Sequence, residues 1–496
     1  MMNIASILLQ SAQKYPTEPA VLCAGTTLTY KTLVEKVHAF AAGLQQLQVT
    51  RGDTVAIFMP NVTQFIISYF AITSIGAIAV PINARWVARE INYVLEHADA
   101  KVFITHALLF DEATKVDFTG TKITTGDAQG DWLAFDSLLT TTAPFTPTTI
   151  GEEDACTLLY TSGITGTPKG VLLTHKNVCT AATMSIIETH IEPSSRLLIM
   201  LTLSHAAPLH LGLVASVLAG ATAILAERFT PDALLHLVQQ HRITHFLGVP
   251  LMYLLTAHHK NVQQYDLSSV KYWLYGGAPL PPADLTFIQT QLKTNKLVCL
   301  YGLTEAGPSG TILEADEHVH HAGSIGKRAV FGTQIRLVND DFEDVPQHEI
   351  GEIVLYGDSI MKEYYNNIEA TAHVLQDGWL RTGDLAKRDE EGYFYIVDRK
   401  KDVIFTGGLA VHPREVEEAM GQINGMLEVA VIGVPHPQWG ETVKAIFAAK
   451  TPLSHSVIQQ FLQPLLADYK IPRLFEQVDA LPRTASGKLL KQALKQ

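Results

Sequence analysis

"DTVAIFMPNVTQFIISYFAITSIGAIAVPI", residues 53–82, carries the pattern from which the fold can be read. Residues 53–58 read as a buried strand, 62–75 as a helix, Gly76-Ala77 as punctuation and 78–82 as a second strand. A helix "WVAREINYVLEHA" (86–98) and a strand "KVFIT" (101–105) follow. Shifted by 144 positions the pattern recurs, though hardly in identity. There "LLIMLT" (197–202), a helix over 209–219, Gly220-Ala221, "TAILA" (222–226), the helix 230–242 and "HFLGV" (245–249) take the same places. Strands alternating with helices imply parallel sheets with right-handed crossovers. The expected fold class is therefore α/β, with two stacked α/β subdomains and ligands at the strand carboxyl ends between them.

Beyond this repeat the pattern changes. The Thr-rich stretch 140–154 reads as a surface loop, and short alternating strands after Gly323 suggest a small β-rich subdomain. After "DRKKD" (398–402) a strand, a helix 413–421, two strands and a final helix make a small α+β domain. Pro413 suits a first helical turn, and Pro464 should kink or end the last helix. The division expected is 1–400 and 401–496.

The bulk numbers narrow the function. At 496 residues the chain exceeds one small core, and its 37 basic against 49 acidic residues give a net charge of −12. That argues against nucleic-acid binding through a general positive field, so an anionic ligand needs local donors. Cys23, Cys156, Cys179 and Cys299 are scattered, without metal spacing or a disulfide framework, which suits a reducing, cytoplasmic compartment. The N-terminus reads as an amphipathic helix rather than a signal peptide, and no apolar run reaches the length of a membrane span. Peripheral membrane contact and the choice between monomer and homodimer stay open.

Between the two repeats lies "TSGITGTPKG" (161–170). It is not a Walker loop, because no Gly-Lys-[Ser/Thr] stands at the required spacing. "CTLLY" before it and "GVLLTH" after it both read as strands, so it is a strand–loop–strand hairpin without a helix dipole. Backbone N–H groups freed by glycines, the hydroxyls of Thr161, Ser162, Thr165 and Thr167, and the Lys169 cation would suit phosphate oxygens. A solvent-exposed turn is the bland alternative.

This loop resembles the phosphate loop of the adenylate-forming superfamily, which includes acyl-CoA synthetases, firefly-type luciferases and peptide-synthetase adenylation domains. Ile164 departs from that family's usual hydroxyl residue. Further motifs match in order along nearly the whole chain: "YGGAP" (275–279), "YGLTE" (301–305), "WLRTGD" (379–384), "DRKKD", "TGGLAVHPREVEE" (406–418) and "PRTASGKLLK" (482–491). The resemblance implies ATP/AMP binding by Thr161, Ser162, Gly163, Thr165, Gly166, Thr167 and Lys169. It adds Gly276, Gly277, Ala278, Pro279, Tyr301, Gly302, Thr304 and Glu305, with Asp384 and Arg399 on the ribose. Glu305 and Thr161 would hold Mg²⁺, and one carboxylate beside phosphates and waters is sensible chemistry for that ion.

The same resemblance makes Lys488 the catalytic lysine, with Lys491 where the family often has arginine. It makes Lys401 a hinge, Gly407 and Gly408 a coenzyme A channel with Trp439 beside it, and His205 a neighbour of the acyl carboxylate. Thr202, Leu203 and Ser204 depart from the family's Pro-Leu-aromatic pattern there, and a packed core histidine competes with that role. Leu409 and Ala410 depart from a polar pair. His318, His320 and His321 read as a polar loop rather than a metal site.

The implied reaction is ligation in two half-reactions: acid and ATP·Mg²⁺ give acyl-AMP and pyrophosphate, then coenzyme A gives acyl-CoA. A fatty acid is favoured, with an apolar tunnel expected behind "YGGAP" and 306–311. An aryl acid is close behind. Loading of a separate carrier protein, a luciferase-type oxygenation and a non-catalytic nucleotide-binding regulator are the remaining readings.

Overall fold

The computed structural model describes residues 2–161, 168–278, 280–483 and 489–495. Its contacts divide the chain into two compact units: Met1–Ile335 with Leu355–Leu380, and Arg336–Val354 with Arg381–Gln496.

The first unit holds both expected repeats. In an eight-stranded sheet, Thr54–Phe58 lies between Ile78–Ile82 and Ala100–Thr105, parallel to both. In a nine-stranded sheet, Arg196–Ile199 lies in the same way between Thr222–Leu225 and His245–Gly248. These strands are almost wholly buried, which is why they read as continuous apolar runs rather than alternating ones. Helix Ile4–Lys14 packs on Thr63–Ser74 and on Ala215–Ala219, one from each repeat. Residues 65–74 of helix Thr63–Ser74 are all buried, so that helix is covered on every side. Helix Ile4–Lys14 is also hydrogen-bonded in place: Ile4 N–H donates to His175 Nδ1 at 3.2 Å and Ser11 Oγ donates to Val217 O at 2.6 Å. At the strand carboxyl ends Asn61 joins the repeats. Its Nδ2 donates to Leu201 O at 2.9 Å, and Leu203 N–H donates to its Oδ1 at 3.0 Å.

One element departs in kind from expectation. The helix read at 209–219 begins as a π-helix, Ala207–Val214, and turns α only over Ala215–Ala219. Residues 208–217 are all buried, so no polar stripe marks whether the helix repeats every 3.6 residues or more slowly.

A five-stranded sheet combines Thr333–Val338, Gly351–Gly357, Trp379–Arg388, Leu375–Gln376 and Phe394–Arg399, the short alternating strands expected after Gly323. Beyond this sheet, whose strands divide between the two units, the second unit is α+β. Met426–His436, Gly440–Ala449, Ile404–Thr406, Leu409–Val411 and Leu474–Gln477 form a sheet, with helices Pro413–Gly421 and His455–Leu462. Pro413 opens its helix, and the last α-helix stops two residues before Pro464. Val416, Met420, Phe447, Ile458 and Leu462 are buried together in its core.

The expected division at 400/401 lies inside this second unit. Antiparallel pairing of Asp384 with Arg399, and ion pairs from Lys400 to Asp340 and Glu352, hold 381–400 to it. The hinge assigned to Lys401 is a separate claim, about motion.

Candidate functional site

The hairpin expected from "TSGITGTPKG" is present at its two ends. Ala155–Thr161 pairs antiparallel with Lys169–Thr174, setting Thr161 opposite Lys169. Ser162, Gly163, Ile164, Thr165, Gly166 and Thr167 lie outside the described residues. Below the loop, helix Ala88–His97 presents Tyr93 and His97 on one face, four residues apart. Tyr93 Oη donates to Pro168 O at 3.0 Å, and His97 Nδ1 meets Tyr160 Oη at 2.8 Å. The base of the loop is thus fastened from the neighbouring helix.

The other two nucleotide motifs follow adjacent parallel strands of the nine-stranded sheet. Tyr272–Gly276 runs beside Leu297–Gly302, with Gly276 opposite Leu300. A Cβ on Gly276 would come within 2.4 Å of Leu300 O, so packing against its own sheet already requires glycine there. Gly277 turns the chain at φ +77°, Ala278 follows, and Pro279 lies outside the described residues. From the next strand, Tyr301 and Gly302 lead into the short turn Thr304–Ala306, which carries Glu305. The sheet therefore brings Gly276, Gly277, Ala278, Tyr301, Gly302, Thr304 and Glu305 to neighbouring carboxyl ends.

Glu305 and Lys169 meet through Tyr364, a residue the motif reading passed over. Tyr364 Oη donates to Glu305 Oε1 at 2.9 Å. The Lys169 ammonium sits 4.8 Å from the centroid of the same ring, within cation–π range. Burial and the Glu305 carboxylate both push the Tyr364 phenol upward, so it stays a donor. The only visible signal was an aromatic pair, Tyr364-Tyr365, ahead of Asn366-Asn367. Glu305 Oε2 takes no hydrogen bond among the described residues, and no cluster of three or more His, Cys, Asp or Glu that could hold a metal occurs among them. One open carboxylate oxygen, with the Thr161 hydroxyl, fits Mg²⁺, which takes few protein ligands and completes its shell with phosphate and water.

His205 stands just before the π-helix and is half-buried. By the 144-residue repeat it occupies the place that Asn61 holds in the first layer. Five residues on, His210 is fully buried, and burial lowers its pKa to about 3. An apolar cavity lies against the π-helix, lined by Leu197, Ile199, Leu211, Leu274 and Leu300, with the polar His245 in its wall. The expected contribution from 306–311 is absent from this lining. Those residues turn into the antiparallel strand Gly310–Leu313 on the far side of Leu297–Gly302. The histidine loop also differs from expectation. His318–His321 is a short helix, and His318 is buried with a partner on each ring nitrogen: Tyr275 Oη at 3.0 Å and Glu314 O at 2.8 Å. Removed from water, these nitrogens need such partners.

The second unit carries the remaining candidates. Asp384 is buried, and Arg399 Nε reaches its Oδ1 at 2.9 Å. Lys401 is exposed in the short turn Lys400–Asp402. Gly407 and Gly408 form a two-residue hairpin turn at φ +56° and +81°, joining Ile404–Thr406 to Leu409–Val411. Positive φ at both central positions is what a type I′ turn needs, hence glycine. Gly407 N–H donates to Trp439 O at 2.9 Å, and the Trp439 indole, 43 % exposed, stacks on His436. The three residues expected at the coenzyme A channel are thus neighbours. Lys488 lies outside the described residues. The chain on either side of it is closed by the bridge of Arg483 with Leu489. Lys491 pairs with Glu417 at 2.7 Å, tying the tail to helix Pro413–Gly421.

Comparison with known proteins bears on the family and the fold. Residues 8–365 match the family described as AMP-binding enzyme, and residues 415–488 match the AMP-binding enzyme C-terminal domain. A feruloyl-CoA synthase of an Amycolatopsis species is 38% identical over 493 residues, 99% of this chain and 98% of that protein. A long-chain-fatty-acid–CoA ligase of Mycobacterium tuberculosis is 34% identical over 503 residues, covering 100% and 98%. The solved o-succinylbenzoate CoA synthetase of Bacillus subtilis, in complex with its acyl-adenylate intermediate, superposes with a TM-score of 0.88. It is 29% identical, over 100% of this chain and 98% of that one. No helix among the described residues is long and apolar enough to cross a membrane. Two family matches in chain order, on this fold, establish that the chain belongs to the AMP-binding enzymes of the adenylate-forming superfamily and is an acid–thiol ligase of the AMP-forming type.

Proposed function

We propose that this ligase activates an apolar carboxylic acid as acyl-AMP, releasing pyrophosphate, and then passes the acyl group to coenzyme A. The observation that carries the acid class is the apolar wall of Leu197, Ile199, Leu211, Leu274 and Leu300 against the π-helix, whose enclosed space of about 20 Å³ admits an acyl chain only when these side chains part. A fatty acid is the first reading. An aryl acid is the second, favoured by the 38% identity to a feruloyl-CoA synthase.

In the first half-reaction the acid carboxylate attacks the α-phosphorus of ATP. Lys169 and the loop it closes hold phosphate oxygens, and Lys488 offsets the charge that develops there. Glu305, with Thr161, would hold Mg²⁺, which when bound neutralises phosphate charge. Gly276, Gly277, Ala278 and Tyr301 take the adenine, and Asp384 with Arg399 the ribose. His205 borders the acyl carboxylate. In the second half-reaction the chain swivels at Lys401, Lys488 withdraws, and the Gly407-Gly408 turn with Trp439 lines the path of the coenzyme A thiol. That thiol attacks the acyl carbonyl and AMP leaves. Four free cysteines support a cytoplasmic setting.

The test is a competition of acids. The kcat/KM for acyl-CoA formation is measured over straight-chain acids of increasing length and over hydroxylated cinnamic acids. Rising values with alkyl length support the fatty-acid reading, whereas a maximum on the cinnamic acids replaces it with the second.

A further inference from the structure

The segment 361–365 is stapled to both nucleotide motifs at once. Met361 N–H donates to Glu305 O at 2.8 Å, on the turn that carries the carboxylate. Lys362 N–H donates to Leu172 O at 2.9 Å and Tyr365 N–H to Gly170 O at 2.8 Å, on the strand that begins with Lys169. Between these staples Tyr364 pairs in register with Val171. Its own N–H donates to Thr371 Oγ1 at 3.0 Å, which leaves its backbone no freedom to turn.

From this fixed backbone the side chain does two things. Its hydroxyl bonds Glu305 Oε1, and its face lies under the Lys169 ammonium. The ring is only 7% exposed, and a hydrogen bond to a carboxylate gains strength away from water. No ion pair joins Glu305 to Lys169, nor either of them to any other described residue. A direct Lys–Glu pair would spend on each other the two charges that the nucleotide requires. A neutral phenol between them orients the carboxylate and stations the ammonium while leaving both charges uncommitted.

We propose that Tyr364 is a positioning residue for adenylation: it sets the Glu305 carboxylate for Mg²⁺ and the Lys169 ammonium for phosphate, and keeps the two from pairing. This rests on the reading of Glu305 and Lys169 given above.

The test is calorimetric binding of ATP to the full chain, with Mg²⁺ titrated at fixed ATP, for wild type, Tyr364→Phe, Tyr364→Leu and Glu305→Gln. Phenylalanine keeps the ring and removes the hydroxyl. It should raise the Mg²⁺ concentration at half-saturation about tenfold, the scale of one hydrogen bond to a charged group, and leave Mg²⁺-free ATP affinity within about twofold. Leucine removes the platform too and should weaken Mg²⁺-free ATP binding roughly threefold further. A merely structural tyrosine would move both quantities together. If Glu305→Gln shifts the Mg²⁺ midpoint and Tyr364→Phe does not, the proposal falls while the reading of Glu305 stands. If neither shifts it, the reading of Glu305 falls and the proposal with it. Should the leucine variant fail to fold, the phenylalanine variant decides alone.

Discussion

In the first unit, Glu305 and Lys169 are held from several sides, by strand pairing, by staples from 361–365 and by the Tyr364 ring. In the second unit, Gly407 and Gly408 form the tip of a two-residue turn, and Lys401 sits exposed in another short turn. Lys488 lies outside the described residues, between the bridged Arg483 and Leu489. The first construction fixes charges in place. The second presents Gly407, Gly408 and Lys401 on short turns beside a packed α+β core. The proposed reaction draws on both: Glu305 and Lys169 would supply preorganised charge for adenylation, whereas Lys488 and the Gly407-Gly408 turn would arrive and leave in alternation.

The sharpest way to break this comparison is Lys488→Ala. It should cut ATP–pyrophosphate exchange by about 10²–10³, the scale of losing one donor to developing charge. Acyl-CoA formation from supplied acyl-AMP should stay within about threefold if, as proposed, the lysine withdraws before that step. Equal losses in both would show that the lysine serves no particular half-reaction. Lys401→Pro inverts the pattern. Proline fixes φ, so a swivel there should slow thioester formation on the order of tenfold and spare exchange. Equal loss of both activities would refute the hinge. Ile164→Thr restores a hydroxyl to the loop and should lower the KM for ATP by roughly twofold. An unchanged KM would mean that backbone donors carry phosphate binding.

The smallest expected effect is on stability. His175, His210 and His245 are buried in the first unit, and burial lowers their pKa values to about 4, 3 and 4. Unfolded, each returns to about 6.5, so below that pH the unfolded chain binds protons that the folded one does not. The stability they contribute is full above about pH 6.5 and is lost as pH falls toward 4. Tm should therefore drop by roughly a few degrees between pH 7 and 5. A Tm that stays flat across that window would contradict the burial assigned to these rings.

The comparison also separates what the residues announce from what only packing reveals. Both α/β layers were legible because their buried strands are short apolar runs punctuated by Gly76-Ala77 and Gly220-Ala221. Chain order placed the hairpin at 161–169 and the turns after Gly276 and Gly302, because each follows a strand. The π-helix 207–214 was not legible, since a segment buried all round carries no periodic signal. Tyr364 was not legible either, because it reaches Glu305 across 59 residues of chain and acts through packing rather than a motif. The packing of the charge run at 398–402 was hidden for a related reason. "DRKKD" looks like a solvated linker, yet Asp398 accepts from the N–H of Arg399 and of Arg414.

Following ATP–pyrophosphate exchange with an apolar acid, first without coenzyme A and then after its addition, tests the two-step account most directly. The account predicts acid-dependent exchange in the first phase, and conversion of the accumulated acyl-AMP to acyl-CoA with release of AMP in the second. Exchange that coenzyme A fails to convert into thioester would contradict it and point to a carrier protein as acceptor. Absence of exchange with every acid would leave a nucleotide-binding protein without ligase chemistry.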